Sequence, residues 1–373
     1  MSKAAELANL IGNINMGGGG VNRNLIINGK MAVSQRSTSE TGKTSGAYYT
    51  VDRFRTDHNG FTGTYTQATD VPSGYGFSNS FKIENTSAAS SNGGRLRIDQ
   101  RIEAQNLRNS GWDYTNSSSS LSYNCWVKSS VAGTYYVGFR TDDGTSRQFT
   151  KAFTVSANTW TNVSFAISGD STLTFNNDNG MGALLAIHVD ETTGESDSGH
   201  TLNGWQNYSS SSRTPDFTQK WTETANATFL TTGWQLEVGQ NPTSFEHEPF
   251  ANTLRKCQRY YEKSYNQGTA PGTSTHLGSR STGGNQAANT TGEIGGYFPF
   301  IVTKRAAPSM TIYDQSGNSG KTTISLYGTG TTANQTSSVS NMSETVFFVS
   351  RGSAGSPANA TEFYVQFEAA SEI

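Results

Sequence analysis

The groups in this 373-residue sequence that could ligate a metal or run acid–base chemistry are five histidines, two cysteines and a set of scattered acids. His58, His188, His200, His247 and His276 lie far apart, and no two form the close ligand pair of a zinc site. Asp190, Glu191, Glu195 and Asp197 make one local acidic group, and Asp142 with Asp143 makes another in TDDGTS. Carboxylate oxygens of this kind would suit calcium. Both groups also read as solvated turns, so no cofactor is expected. Glycosidase acids meet in space rather than in sequence. Asp99, Glu103, Glu223 and Glu237 therefore qualify by residue type alone. Asp99 lies in RLRIDQRIE, where charges alternate with Leu96, Ile98 and Ile102. That pattern predicts the solvent face of a strand, with Arg95, Arg97 and Arg101 pairing nearby acids. Glu237 alternates in the same way with Leu236 and Val238. No nucleophile elbow, phosphate loop or dinucleotide fingerprint is present, and Gly17 to Gly20 lacks the Lys-Ser/Thr of a phosphate loop. No enzymatic activity is expected.

The positive signal is for binding. Aromatic residues stand in polar surroundings at Tyr48 and Tyr49, at Tyr75, at Trp112 and Tyr114 in GWDYTNSSSS, and at Trp205 and Tyr208 in NGWQNYSSSS. An aromatic ring takes the C–H face of a sugar while neighbouring amides, acids and guanidiniums take its hydroxyls. The plain alternative is that each ring anchors its own loop.

The elements that must position these residues are mostly strands. From Val21 to Phe250 the chain alternates in short apolar runs separated by Gly, Asn, Asp and Ser. It opens with an Asn-Gly turn at Asn28 and Gly29. Strands are predicted at 61–67, 76–84, 94–103, 120–129, 133–141, 147–155, 160–167, 181–189 and 234–238. In 120–129, Leu121, Tyr123, Cys125 and Val127 share the buried face. Asp190 to Pro215 reads as a long exposed loop. The expected fold class is all-β: a short N-terminal helix, a large antiparallel jelly-roll-like β-sandwich and a second, smaller C-terminal β-sandwich. The expected domains are 1–20, a helical anchor with a Gly-rich linker; 21–250, the jelly-roll-like sandwich; 251–295, a helical joint and polar linker; and 296–373, a C-terminal sandwich at the tip. In the anchor, Leu7, Leu10, Ile11 and Ile14 fall on one side of a helix running from Ser2 to Ile14. In the joint, Leu254, Cys257 and Tyr260 or Tyr261 stand at helical spacing within 252–267. In the last domain strands are predicted at 297–304, 309–313, 322–327, 345–350 and 362–369, the last placing Phe363, Val365 and Phe367 on one face.

Composition narrows the setting. Charged residues are 15% of the chain, against roughly 25% in ordinary soluble domains. With 27 Lys and Arg against 29 Asp and Glu, the net charge is −2 and no basic stripe exists, so a nucleic-acid partner is not expected. Cys125 and Cys257 are too few to staple a chain of this length. Their scarcity suits folding in a reducing cytoplasm. No long apolar run precedes a cleavage site or could span a bilayer, so neither a signal peptide nor membrane insertion is expected.

NLIINGKMAVSQRS, then YYTVDRF, then GWQLEVGQNPTSFEHEPFANTLRKCQRYYEKSY resemble, in order and content, the opening and close of a β-sandwich domain of bacteriophage tail fibre and receptor-binding proteins. The likeness spans about Val21 to Tyr265. SKAAELANLIG resembles the lead helix that precedes that domain, and FPFIVTKRAAPSMTIYDQSGNSGK resembles the C-terminal sandwich of such proteins. The resemblance implies a virion surface protein, assembled in the host cytoplasm, usually oligomeric and often trimeric. Its sandwich resembles carbohydrate-binding modules. It implies no catalytic residue. No fibre shaft is expected, since no long coiled coil or β-helix repeat reads ahead of the sandwich in this sequence.

The expected partners are therefore other copies of the chain in a homotrimer, another virion protein through the N-terminal anchor, and a host-surface glycan. The part farthest from the anchor is the natural contact site, which puts Tyr313, Tyr327 and the turns from Asp314 to Gly320 first. Trp205 and Tyr208 come next, then Trp112 and Tyr114. The alternatives are a purely structural virion or capsid-decoration protein, and a polysaccharide depolymerase.

Overall fold

The computed structural model describes residues 3–7, 23–91, 93–283, 294–326, 330–351 and 360–373. The chain divides into two compact units. Residues 1–33, 38–253 and 373 form the first, and residues 34–37 with 254–372 form the second. Residues 3–7 are helical, and the rest of the expected lead helix lies outside the described residues. Among the described residues no helix is long and apolar enough to cross a membrane.

The first unit is a jelly-roll-like sandwich of two six-stranded antiparallel sheets. The first sheet runs, in spatial order, β1 (Ser39–Lys43), β3 (Thr62–Ala68), β4 (Ser80–Ser87), β12 (Thr228–Val238), β6 (Ser120–Ser129) and β9 (Thr161–Ser168). The second runs β11 (Trp205–Asn207), β8 (Arg147–Val155), β7 (Gly133–Thr141), β10 (Met181–Asp190), β5 (Arg95–Glu103) and β2 (Arg55–Asn59). The period-2 pattern decides which face is buried. On β6, Leu121, Tyr123, Cys125 and Val127 are fully buried. They join one core with Leu96 and Ile98 of β5, Val137 and Phe139 of β7, and Leu185 and Ile187 of β10.

Three expectations of the sequence change here. RLRIDQRIE is not a solvent face: Asp99 is inaccessible, within 3.4 Å of Arg55 and Arg97 and 3.9 Å of Arg101. The cover over the charged side of the second sheet comes from the 190–215 segment, which is folded rather than loose. His200 Nε2 lies 2.8 Å from Thr150 Oγ1, Gln148 Nε2 donates to the Ser212 carbonyl at 2.8 Å, and Trp205–Asn207 adds strand β11. The closing strand is also longer than the 234–238 run, because β12 begins at Thr228 and passes through a register shift between Thr232 and Gln235.

The second unit is the smaller sandwich. β21 (Ala360–Ala370) is its centre and pairs with β13 (Tyr261–Lys263), β14 (Arg280–Gly283), β16 (Ser309–Tyr313) and β17 (Lys321–Leu326). β18 (Gly330–Thr336) extends this sheet, and β15 (Ile294–Pro299), β20 (Val346–Arg351) and β19 (Ser338–Ser340) form a three-stranded one. Phe363, Val365 and Phe367 are buried together with Phe298, Phe347 and Ile324. The stretch 251–295, expected as a helical joint and linker, does hold a helix at Phe250–Gln258, but β13 and β14 are part of the sandwich. Lys304 and Glu262 form an inaccessible ion pair at 2.6 Å, with the ammonium also donating to the carbonyls of Gln258 and Val302.

Candidate functional site

The outward face of the first sheet carries an open groove that binding chemistry could use, with a volume of about 580 Å³. β6 builds one wall. Because Tyr123, Cys125 and Val127 point inward, Asn124, Trp126 and Lys128 must point outward. Neighbouring strands supply Leu230 and Thr228 from β12, Lys82 from β4 and Thr66 from β3. Leu230 is an apolar floor among hydrogen-bonding groups. At one end Asp70 anchors two side chains: Lys128 Nζ donates to Oδ2 at 2.8 Å and the Trp160 indole N–H donates to Oδ1 at 3.0 Å. Burial alone would raise the Asp70 pKa, but these two hydrogen bonds and the Lys128 charge outweigh it and hold the carboxyl below its ordinary value. Lys82 pairs with Glu84 at 2.8 Å, and Asn162 donates to the Asn124 side chain at 2.7 Å. On the same sheet face Tyr75 lies against Trp126 with ring centroids 4.4 Å apart, and 53% of Tyr75 is exposed.

The arrangement can bind and orient. It presents amide, hydroxyl, ammonium and carboxylate groups around an apolar strip, with Trp160, Trp126 and Tyr75 as aromatic surfaces. A general acid needs a carboxyl with a raised pKa. Asp70 has the opposite shift, because its oxygens are committed to Lys128 and Trp160.

The residues expected from sequence are not gathered here. Trp112 is a core residue, 3% exposed, packed against Phe139 and Phe175, so it offers no ring face to a ligand. Tyr114 is half-buried, edge-on to Phe175. Trp205 packs between Phe139 and Phe149 and donates its indole N–H to the Ser168 carbonyl at 2.7 Å. These three therefore follow the plain alternative, rings that anchor their own loops. Tyr208 lies under the Arg140 guanidinium at 4.6 Å on the outward face of the second sheet. In the second unit the Tyr313 hydroxyl donates to Glu368 at 2.7 Å, and burial is the first cause that raises its pKa. Tyr327 lies outside the described residues. The turn after Tyr313 is drawn in around Asp314, which accepts from the backbone N–H groups of Ser316, Asn318 and Asn334. Among the described residues no three His, Cys, Asp or Glu side chains gather as a metal site. Glu191 and Glu195, read as possible calcium ligands, are engaged by His188, Arg95 and Arg213. Sequence reasoning missed Trp126 and Trp160. The signal for Trp126 was the parity of its own strand, since a residue between Cys125 and Val127 must face out.

No family model and no curated protein matches this chain. Several solved β-sandwich structures are similar to parts of it. A family 16 carbohydrate-binding module is 12% identical, over 48% of this chain and 86% of that one, with a TM-score of 0.24. A family 11 carbohydrate-binding module from Clostridium thermocellum, in complex with a β-1,3-1,4-mixed-linked tetrasaccharide, is 8% identical over 52% and 91%, with a TM-score of 0.27. A family 30 module is 12% identical over 58% and 88%, with a TM-score of 0.25. At these scores the likenesses carry no weight for what this chain binds.

Proposed function

We propose that this chain is a virion surface protein, of short tail-fibre or tail-tip type, that attaches to a host cell-surface glycan without cleaving it. The observation that carries the reading is the groove on the outward face of the first sheet. It is open along its length, floored by Leu230, edged by hydrogen-bonding side chains and bordered by Trp160, with Trp126 and Tyr75 on the same face. A volume of about 580 Å³ lies within the range for ligand sites, about 300–1,000 Å³, and suits a segment of a polymer. Aromatic faces with few charges favour sugar rings over nucleic acid, consistent with the net charge of −2. The phage setting rests on the resemblance of residues 21–265 to tail-fibre sandwiches. It brings with it a homotrimer held to another virion protein through residues 1–20.

The test is binding of the purified full chain to host cells and to a glycan array, with product analysis alongside. Trp126→Ala and Trp160→Ala should each weaken binding about tenfold or more while the melting temperature holds, as expected for loss of one stacking surface. Release of shortened oligosaccharides would overturn the non-enzymatic reading. Undiminished binding by both variants would remove the groove from it.

A further inference from the structure

The charges of the groove stand in a fixed order across the first sheet. Thr66 of β3 pairs with Lys82 of β4, Lys82 with Leu230 of β12, and Leu230 with Lys128 of β6. Residues directly opposite each other in antiparallel strands share a face, so these four side chains form one row on the outward side. Strands lie about 4.7–4.9 Å apart, which puts the two lysine backbones roughly 10 Å from one another. The leucine between them keeps the ammoniums from being direct neighbours, where like charges would be destabilising. Leu230 is only 4% exposed although it faces outward, as expected where lysine stems on either side lie over an apolar residue and send their heads to water. Trp160 immediately precedes β9, the strand next to β6, so the row runs across the strands toward that ring.

Both lysine heads keep capacity for a ligand. An ammonium has three N–H donors and no acceptor. Among the described residues Lys128 spends one on Asp70 and Lys82 spends one on Glu84, each at 2.8 Å. The Lys128 and Lys82 side chains are 22% and 32% exposed, so their remaining donors are within reach of solvent. Asp70 is the one carboxylate in the groove lining, against two ammoniums. Its oxygens already accept from Lys128 and from the Trp160 indole, and it feels the Lys82 charge as well. Glu84 stands outside the lining and balances Lys82 from the side. What the row leaves over is therefore donors on two cations. A group that only accepts and carries negative charge answers them better than a hydroxyl, because a hydrogen bond with both partners ionised is about twice as strong as a neutral one. A carboxylate has two oxygens, one for each head.

Resting on the reading of this groove as a glycan site, we infer that it selects an acidic glycan, laid across the strands with a sugar carboxylate held between Lys82 and Lys128. The test is calorimetric titration of the full chain with pentagalacturonate and with the same oligomer fully methyl-esterified, which removes the charge and keeps the rings. The acid should bind at least about tenfold more tightly than the ester. Added salt should weaken the acid and spare the ester. Lys82→Gln and Lys128→Gln should each lower the acid-to-ester preference about threefold, and the double variant should abolish it, while ester binding and the melting temperature hold. A merely structural role for the lysines would not move that ratio. Trp160→Ala should weaken both oligomers alike. Equal affinities, or a preference that survives the double variant, would overturn the acidic assignment and leave the groove as a glycan site. Binding of neither oligomer would overturn it too. Host-cell binding by the same sample then shows whether the groove reading stands, with binding lost on Trp160→Ala, or falls with it.

Discussion

His58 illustrates how much a single ring nitrogen fixes. Its Nε2 lies 3.3 Å from the Lys43 carbonyl, which can only accept, so Nε2 carries the proton and Nδ1 accepts from the Tyr65 hydroxyl at 2.6 Å. Burial pushes its pKa down from 6.5 to about 4, against smaller opposing contributions from Lys43 and Asp57. A folded pKa below the unfolded one means that unfolding takes up a proton between those two values. The stability His58 contributes is complete above pH 6.5 and is lost as pH falls toward 4. At about 1.4 kcal/mol per unit, the loss should approach about 3 kcal/mol. Measured by urea unfolding across that range, the difference between the wild type and His58→Gln should shrink by that order as pH falls. A pH-independent difference would show that the imidazole takes up its proton at the same pH in the fold as in the unfolded chain. His188 is shifted in the same direction. The candidate-site residues read at this scale were the least legible. Polar neighbours made Trp112 look exposed, yet Phe139 and Phe175, distant in sequence, bury it. Local composition cannot report contacts of that separation.

At the scale of elements, strand β12 shows what was legible and what was not. The alternation of Trp234, Leu236 and Val238 is plain in the sequence, which predicts a strand over 234–238 only. Gly233 has a φ of +69°, and a Cβ there would lie 2.7 Å from the Phe77 ring, so the strand continues through an irregularity only glycine permits. The strands from 120 to 155 match prediction because each is long, amphipathic and central. β1, β2, β11, β13 and β14 were missed because they are three to five residues long and held by pairing partners elsewhere in the chain. Trp234 is inaccessible and edge-on to Phe54 and Tyr123, and its indole N–H donates to Thr231 Oγ1 at 2.7 Å. Its backbone N–H also donates to the Gly29 carbonyl at 3.0 Å, tying the Asn-Gly turn to the closing strand. Trp234→Ala should cost roughly 3–5 kcal/mol in chemical denaturation. A normally stable variant would place the ring outside the core.

At the scale of the whole molecule, the second unit is not a simple C-terminal segment. It includes residues 34–37, far upstream of the rest. Gln35 donates to the Tyr261 carbonyl at 2.8 Å, Arg36 lies 3.7 Å over the Tyr261 ring, and Arg36 pairs with Glu372 at 3.3 Å. A fragment spanning 254–373 would leave that carbonyl, ring and carboxylate without these partners. It should therefore be markedly less stable than the same unit in the full chain, and supplying residues 30–40 as a peptide should recover part of the difference. A fragment that melts at the full chain's temperature would show these contacts to be dispensable. Two sandwiches were legible in the composition and strand rhythm; this detour was not, because four residues of unremarkable polarity say nothing about which core they serve.

Each unit also carries one sulfhydryl sealed inside it, Cys125 in the first and Cys257 in the second. Burial pushes the Cys125 thiol up to about 12, so in the closed protein it is neither reachable nor ionised. A thiol reagent can modify such a group only during the moments when its surroundings open. The two sulfurs are thus a built-in pair of clocks, one per sandwich, readable by mass spectrometry without adding a label by mutation. Because Cys125 sits in the core of the first sandwich and Cys257 on the helix Phe250–Gln258, they should run at different rates under mild urea, and identical rates at every concentration would mean that the units come apart as one.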